Sequence, residues 1–212
     1  MKGLVILGST GSVGTQTLEI VRSFPDDFNV VGLAAHRSLK LLETQAREFH
    51  AKLVCCEGTD EEKAAIFYNG GLESSMEDMV RDPGVDLVVT ATVGDVALGP
   101  TIAAIEAGKS VALANKESLI MSGRLLTAMA REHGVGLLPL DSEPSAIWQC
   151  LRGEDTTVSR LIITASGGAF RDLDPSELAD VTPAQALRHP TWKMGPKTTV
   201  DSATLMNKAF EV

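Results

Sequence analysis

The sequence predicts an α/β protein: an N-terminal Rossmann-like, doubly wound parallel sheet, followed by the truncated start of a second α/β domain. Three observations predict it. Short apolar runs alternate with stretches whose apolar residues recur at helical spacing through roughly the first 140 residues. The glycine-rich segment Gly8-Ser9-Thr10-Gly11-Ser12-Val13-Gly14 follows directly on the first apolar run, Gly3 to Leu7. Val85 to Ala91 is almost wholly β-branched or apolar, as expected of a strand buried on both faces of a parallel sheet. The domains are expected over 1–141 and 142–212.

Taken in order, Gly3 to Leu7 is the first strand, and Thr15 to Ser23 is a helix with Leu18, Ile20, Val21 and Phe24 at helical spacing. Asn29 to Ala35 is the second strand, Leu39 to Phe49 an amphipathic helix and Lys52 to Cys56 the third strand. A helix is expected from Asp60 to Tyr68, ended by Gly70-Gly71, and another from Ser74 to Asp82, stopped by Pro83-Gly84. After Val85 to Ala91 come a helix (Ala97 to Ala107), a strand (Lys109 to Ala114), a long helix (Glu117 to His133) and a strand (Val135 to Leu140). Pro144 suits the first turn of a helix reaching about Leu151. Val158 to Ala165 is strongly β-forming and is expected to open a second sheet. Phe170 to Lys197 holds four prolines and reads as an irregular active-site lid. Asp201 or Ser202 is then expected to cap one helix that runs through Glu211, with the chain ending inside it at Val212.

Bulk composition narrows the function. The 212 residues carry a net charge of −9, which argues against a general nucleic-acid or acidic-membrane surface. Apolar content of 44% and charged content of 22% are ordinary for a globular protein, and no apolar run approaches the roughly 18 residues of a membrane span. No signal peptide is read at the N-terminus. Cys55, Cys56 and Cys150 suggest neither a disulfide framework nor a zinc site, so a reduced, cytoplasmic protein is expected.

Several segments carry chemistry. Strand, glycine loop and helix is the order that holds a dinucleotide's pyrophosphate, although the G-x-x-G-x-x-G spacing also suits a plain tight turn. After the second strand no acid stands ready for a ribose hydroxyl. Arg37, with His36 and Ser38, can instead hold a 2′-phosphate, which favours NADPH; the alternative is a solvated arginine. Asn115-Lys116-Glu117 follows a strand at its ligand-binding edge and can orient a nicotinamide and reach a reacting oxygen, or can simply start a helix. Along an extended chain Asp141 and Glu143 point the same way, with Ser142 opposite. Such a pair suits Mg²⁺ or Mn²⁺, or decorates the first turn of the next helix. Ser166-Gly167-Gly168 is a bare turn able to nest an anion. Arg188 to Lys208 holds four bases against one acid in an acidic chain, which points to a small anionic substrate. Asn207, Lys208 and Glu211 share a helix face, either as part of a site or as a surface pair worth about 0.5 kcal/mol or less.

Six ordered blocks resemble the 1-deoxy-D-xylulose 5-phosphate reductoisomerase family: Gly8 to Gly14, Leu113 to Leu119, Pro139 to Glu143, Ser166 to Phe170, His189 to Gly195, and Val200 to Lys208 with Glu211. The resemblance implies an NADPH- and metal-dependent enzyme of the non-mevalonate isoprenoid pathway. It implies Asp141, Glu143 and Glu211 as ligands of Mn²⁺ or Mg²⁺. It implies Thr10, Gly11, Ser12, Val13, Asn115 and Glu117 at NADPH, with His36, Arg37 and Ser38 at its 2′-phosphate. Ser142, Ser166, His189, Ser202, Asn207 and Lys208 would hold the phosphorylated sugar, and Trp192 and Met194 would lie on the lid. Lys116 would touch substrate, and Lys116, Glu143 and His189 are the expected catalytic residues. The family pattern departs at His36, Ser38, Pro144 and Ala169, where a glycine, an asparagine, a histidine and a proline are usual. The resemblance also implies further catalytic and C-terminal parts and a homodimer in the full-length protein. After Glu143 the sequence offers one clear strand, a lid and a helix cut at Val212, leaving Leu161 to Ile163, Leu205 and Met206 without partners. Residues 1–212 alone are therefore expected to bind NADPH but to bind metal weakly and to show no turnover. Two other readings remain open: a metal-independent NADP-dependent aldehyde or semialdehyde reductase, and a non-catalytic nucleotide-binding protein.

Overall fold

The computed structural model describes residues 1–67, 71–155 and 157–212. Two compact units divide the chain, Met1–Asp141 and Ser142–Val212.

The first unit is a seven-stranded, wholly parallel sheet. Its strands are β1 (Lys2–Leu7), β2 (Phe28–Ala35), β3 (Leu53–Cys56), β4 (Leu72–Glu73), β5 (Leu87–Thr90), β6 (Ser110–Leu113) and β7 (Leu137–Pro139). They lie in the order β4-β3-β2-β1-β5-β6-β7, so the direction of winding reverses between β1 and β5. Between them run α1 (Ser12–Ser23), α2 (Leu39–Glu48), α3 (Asp60–Phe67), α4 (Met76–Val80), α5 (Leu98–Glu106) and α6 (Lys116–Glu132). Tyr68 and Gly70, expected at the end of the third helix, lie outside the described residues. The two-residue β4 escapes the sequence pattern because both of its side chains are exposed.

Alternation along β1 builds two cores. Leu4 and Ile6 pack with Leu18 and Val21 of α1 and Leu42 of α2. Val5 and Leu7 pack on the other face with Met79 of α4, Ile105 of α5 and Leu126 of α6. In β2 the alternation slips: Leu4 pairs with Val30 but Val5 pairs with Gly32, leaving Val31 as an extra residue. That bulge reverses facing, so Leu33 joins the α1–α2 side and Ala34 the other. Gly32 fits the slip because a Cβ there would stand 2.6 Å from Met79 Sδ.

The turn after β1 demands its glycines. Gly8 has φ +88, and a Cβ on Gly14 would lie 2.3 Å from Gly8 O and 2.6 Å from Ser9 Cα. Both obstacles are backbone, so Gly14→Ala should push α1 off the sheet and destabilise the chain by about 1–3 kcal/mol. Chemical unfolding checks this, and a wild-type midpoint would show that α1 slides freely.

The second unit differs from the sequence reading. Its elements are α7 (Ser142–Leu151), a 3₁₀ turn (Pro175–Asp180), α8 (Pro183–Ala186), α9 (Pro196–Ala203) and α10 (Met206–Ala209). Pro175, Pro183 and Pro196 each open one of these turns, where a missing N–H costs nothing. Val158 to Ala165 forms no ladder, because no strand exists among the described residues of this unit to pair with it. Leu161 and Ile162 are left 58% and 69% exposed. The single helix expected from Asp201 to Glu211 is two. Leu205, at φ 59, breaks it, so Asp201 and Ser202 end α9 rather than cap a helix. A left-handed leucine costs about 1–2 kcal/mol, which marks this break as a position held by its surroundings. No helix among the described residues is long and apolar enough to cross a membrane.

Candidate active site

The carboxyl ends of β1, β2, β6 and β7 carry every expected site residue of the first unit. Gly8 and Ser9 both donate their backbone N–H to Ala34 O, at 2.8 and 2.9 Å, so the glycine loop hangs from the end of β2. Thr10 and Gly11 complete the loop, and Gly11 enters α1 without any side-chain cap. The N–H groups of Ser12 and Val13 have no partner among the described residues, and both residues are exposed. Unpaired amides at a helix start, beside glycines stripped of side chains, form a cradle for an anion. Beyond β2, His36 pairs through Nδ1 with Glu57 Oε2 at 3.0 Å, while the exposed Arg37 has no partner among the described residues. Ser38 stands at the N-cap of α2 but makes no capping bond through its side chain.

Asn115 is 1% exposed and fully committed. Its Oδ1 accepts from Ser118 N at 3.1 Å and Ser118 Oγ at 2.6 Å. Its Nδ2 donates to Thr92 O at 3.0 Å and Gly94 O at 2.9 Å. An amide offers two donors and two acceptor sites, so this side chain has none left for a nicotinamide. It caps α6 and fixes the loop after β5. Lys116 follows and donates to Asp141 Oδ2 at 2.8 Å, joining the ends of β6 and β7. Glu117 lies half-buried in the first turn of α6.

The second unit holds a polar cleft lined by Glu143, Ala165, Ser166, Gly167, Ser202, Leu205, Asn207 and Lys208. Lys208 is its centre: Nζ lies 2.5 Å from Glu143 Oε1 and 2.6 Å from Glu211 Oε2. Asn207 Nδ2 donates to the other oxygen of Glu211 at 3.0 Å, and Ser142 Oγ donates to Glu143 Oε2 at 2.7 Å. Glu211 is therefore held, with its side chain 2% exposed. Burial alone would raise the Glu143 pKa, but the Lys208 ammonium and the Ser142 hydroxyl draw its carboxyl below the usual range. Burial likewise opposes the charge on Lys208, and the two glutamates overcome it and raise its pKa. The stability that Glu143 contributes is present above about 4.3, the ordinary glutamate value, and is lost as pH falls through the lower folded value.

On the cleft's other side, Ser166 Oγ and His189 Nε2 are 2.9 Å apart. His189 Nδ1 accepts the backbone N–H of Thr191 at 3.1 Å and of Trp192 at 2.9 Å. Nδ1 therefore carries no proton, and Nε2–H donates to Ser166. Gly167 and Gly168 follow at φ +79 and +68, and a Cβ on Gly168 would stand 2.3 Å from Ser202 O. That close approach brings Ser166 and Ser202 into one cleft. Trp192 lies 60% exposed and Met194 half-buried along the irregular segment.

Two contributors were not predicted. Gln45 of α2 and Ser9 of the glycine loop are both buried and bonded to each other. Gln45 falls on the apolar side of its helix, three residues after Leu42. A lone amide at a core position was the available signal.

The chain resembles known proteins along its whole length. The family described as 1-deoxy-D-xylulose 5-phosphate reductoisomerase matches residues 4–123, and its C-terminal domain matches residues 137–212. A 1-deoxy-D-xylulose 5-phosphate reductoisomerase from Geobacillus sp. (strain WCH70) is 49% identical over 219 residues, covering 100% of this chain and 58% of its own length. The crystal structure of a DOX-P reductoisomerase in complex with NADPH, fosmidomycin and magnesium matches with a TM-score of 0.89 at 36% identity, over 100% of this chain and 56% of that one. The reductoisomerase from Zymomonas mobilis in complex with NADPH matches with a TM-score of 0.86 at 38% identity, over 99% of this chain and 56% of that one. This chain thus spans little more than half the length of such relatives. The likeness runs through the glycine loop, the Lys116 segment and both carboxylate motifs, and the chain belongs to the 1-deoxy-D-xylulose 5-phosphate reductoisomerase family.

Proposed function

We propose that residues 1–141 are the NADPH-binding domain, and residues 142–212 the metal- and substrate-binding part, of a cytoplasmic, homodimeric reductoisomerase. It converts 1-deoxy-D-xylulose 5-phosphate to 2-C-methyl-D-erythritol 4-phosphate in non-mevalonate isoprenoid biosynthesis. The observation that carries this reading is the pair Glu143 and Glu211 closed on one cation, Lys208, in a cleft lined with hydroxyl and amide donors. A metal-independent reductase would use the first unit and leave that cluster without a purpose.

The residues present suit both implied groups. For NADPH, the uncapped start of α1 offers the amides of Ser12 and Val13, and a Cβ on Gly11 would press against Gly8 O at 3.3 Å. For a divalent cation, Glu143, Glu211 and Asp141 are hard oxygen donors of the kind Mg²⁺ and Mn²⁺ take. When bound, the cation would supply Lewis-acid stabilisation of the substrate oxygens during rearrangement, and NADPH would supply the hydride that reduces the rearranged aldehyde to the product alcohol. The chain's own residues position the rest. His189 Nε2–H donates to Ser166 Oγ, so Ser166 keeps its own hydroxyl proton to give to an anion. Ser202, Asn207 and Lys208 add donors around the same space. Lys116 places an ammonium beside Asp141.

The direct test follows NADPH consumption on adding 1-deoxy-D-xylulose 5-phosphate and Mn²⁺ to a protein of the relatives' full length that carries these residues. Turnover that persists in chelator would sink the metal assignment. Residues 1–212 alone are expected to bind NADPH without turnover, since Leu161 and Ile162 lie exposed with no strand among the described residues of their unit to pair with. Arg37→Ala should remove most of the preference for NADPH over NADH, roughly ten- to a hundredfold, because a charge-assisted contact is worth about 1.5–3 kcal/mol. Equal dissociation constants in the wild type would refute that role.

A further inference from the structure

We infer that Gln45 is a positioning residue for the dinucleotide, fixing the glycine loop against the helix that begins at the 2′-phosphate segment. The inference rests on the NADPH reading above and adds a residue that touches neither phosphate.

Ser9 and Gln45 are 0% and 3% exposed. Ser9 Oγ donates to Gln45 Oε1 at 2.9 Å, and Gln45 Nε2 donates to Ser9 O at 3.0 Å. One amide therefore satisfies both the hydroxyl and the carbonyl of a single residue. The remaining surroundings of Ser9 are equally restrictive. Its N–H is held by Ala34 O at 2.9 Å, and its Cα would meet a Cβ on Gly14 at 2.6 Å. Ser9 is thus fixed from β2, α1 and α2 at once. Only the α2 contact is made by a side chain, and α2 begins immediately after His36, Arg37 and Ser38. Gln45 consequently ties the loop that would face a pyrophosphate to the element that would face a 2′-phosphate. With the Ser9 carbonyl turned inward onto Gln45, the following residues can present N–H groups outward.

Methionine nearly matches glutamine in length and volume but offers neither of its bonds. In Gln45→Met the loop should lose its fixed conformation, and binding should then have to select it. Cofactor fluorescence titration of the chain reads both the dissociation constant and the number of sites. The expected result is a dissociation constant raised roughly tenfold for NADPH and NADH alike, at an unchanged number of sites. Arg37→Ala is the contrast, weakening NADPH alone. A merely structural residue would lower the number of sites while leaving the dissociation constant of the folded molecules unmoved, and that result would overturn the inference. So would wild-type affinity in Gln45→Met. If Gln45→Met does not fold, Ser9→Ala removes one of the two bonds and should raise both dissociation constants by a smaller, equal factor; no rise would again overturn it. A wild-type chain that binds neither cofactor would overturn this inference together with the NADPH reading. Binding in the wild type with no effect of either variant would overturn this inference alone.

Discussion

Glu143→Gln, made in the full-length enzyme, should cut metal-dependent turnover by on the order of 10³-fold while leaving NADPH affinity nearly unchanged. The substitution keeps the volume and removes one negative charge. That charge is one of two that hold Lys208, at 2.5 Å, with Glu211 the other at 2.6 Å. Two carboxylates so close repel each other unless a cation lies between them, so the cluster is built around positive charge. Glutamine would still accept from Ser142 but would weaken the attraction for any cation, and Lewis-acid stabilisation is worth several kcal/mol. The glycine loop belongs to the other unit and shares none of these contacts. Turnover against Mn²⁺ concentration, beside a NADPH titration, separates the two effects. Unchanged turnover would remove Glu143 from the metal site, whereas a parallel fall in NADPH affinity would point to misfolding.

What the sequence made legible was whatever local pattern controls. The apolar runs became parallel strands, and the glycine loop stands between β1 and α1 because only that spacing lets Gly14 pack on Gly8. Asn115 could be read as a helix cap from its place before Lys116-Glu117, and it is one. The misses depend on partners distant in the chain. Val158 to Ala165 has strand propensity but no neighbouring strand among the described residues, and propensity alone makes no ladder. Leu205 looked like a helix interior, yet its left-handed backbone splits the segment and still leaves Asn207 and Lys208 bonded to Glu211. The bulge at Val31 and the Ser9–Gln45 bonds are equally invisible to periodicity, since each is fixed by contacts 20 or more residues away. Ser122 likewise kinks α6 at φ −143 with no proline to announce it. At the candidate site, the residue types were legible, whereas the pairings of Lys116 with Asp141 and Lys208 with Glu143 were not.

Asn115→Ala should destabilise the chain by about 2–4 kcal/mol, a fall in melting temperature of roughly 5–15 °C for a domain of this size. Two losses combine. Removing Oδ1 uncaps α6, which typically costs about 1 kcal/mol. Removing Nδ2 also loses its two bonds to Thr92 O and Gly94 O, at about 0.5–1.5 kcal/mol each. Asn115→Asp separates the two. A carboxylate can still accept from Ser118 N and Ser118 Oγ, and its charge suits a helix start. Its second oxygen would instead face two carbonyl oxygens where the amide now donates at 3.0 and 2.9 Å. If the bonds to the loop matter more than the cap, Asn115→Asp should be destabilised at least as much as Asn115→Ala. Aspartate at wild-type stability would mean that capping is the whole role. The loop in question also walls the glycine turn, because a Cβ on Gly8 would lie 2.6 Å from Ala91 O and 2.9 Å from Thr92 N. Loosening it should therefore weaken NADPH binding in both variants even though the Asn115 side chain has no donor to spare for the cofactor. NADPH affinity that stays at the wild-type value in Asn115→Asp, with the melting temperature lowered, would show that the wall and the cofactor site are independent.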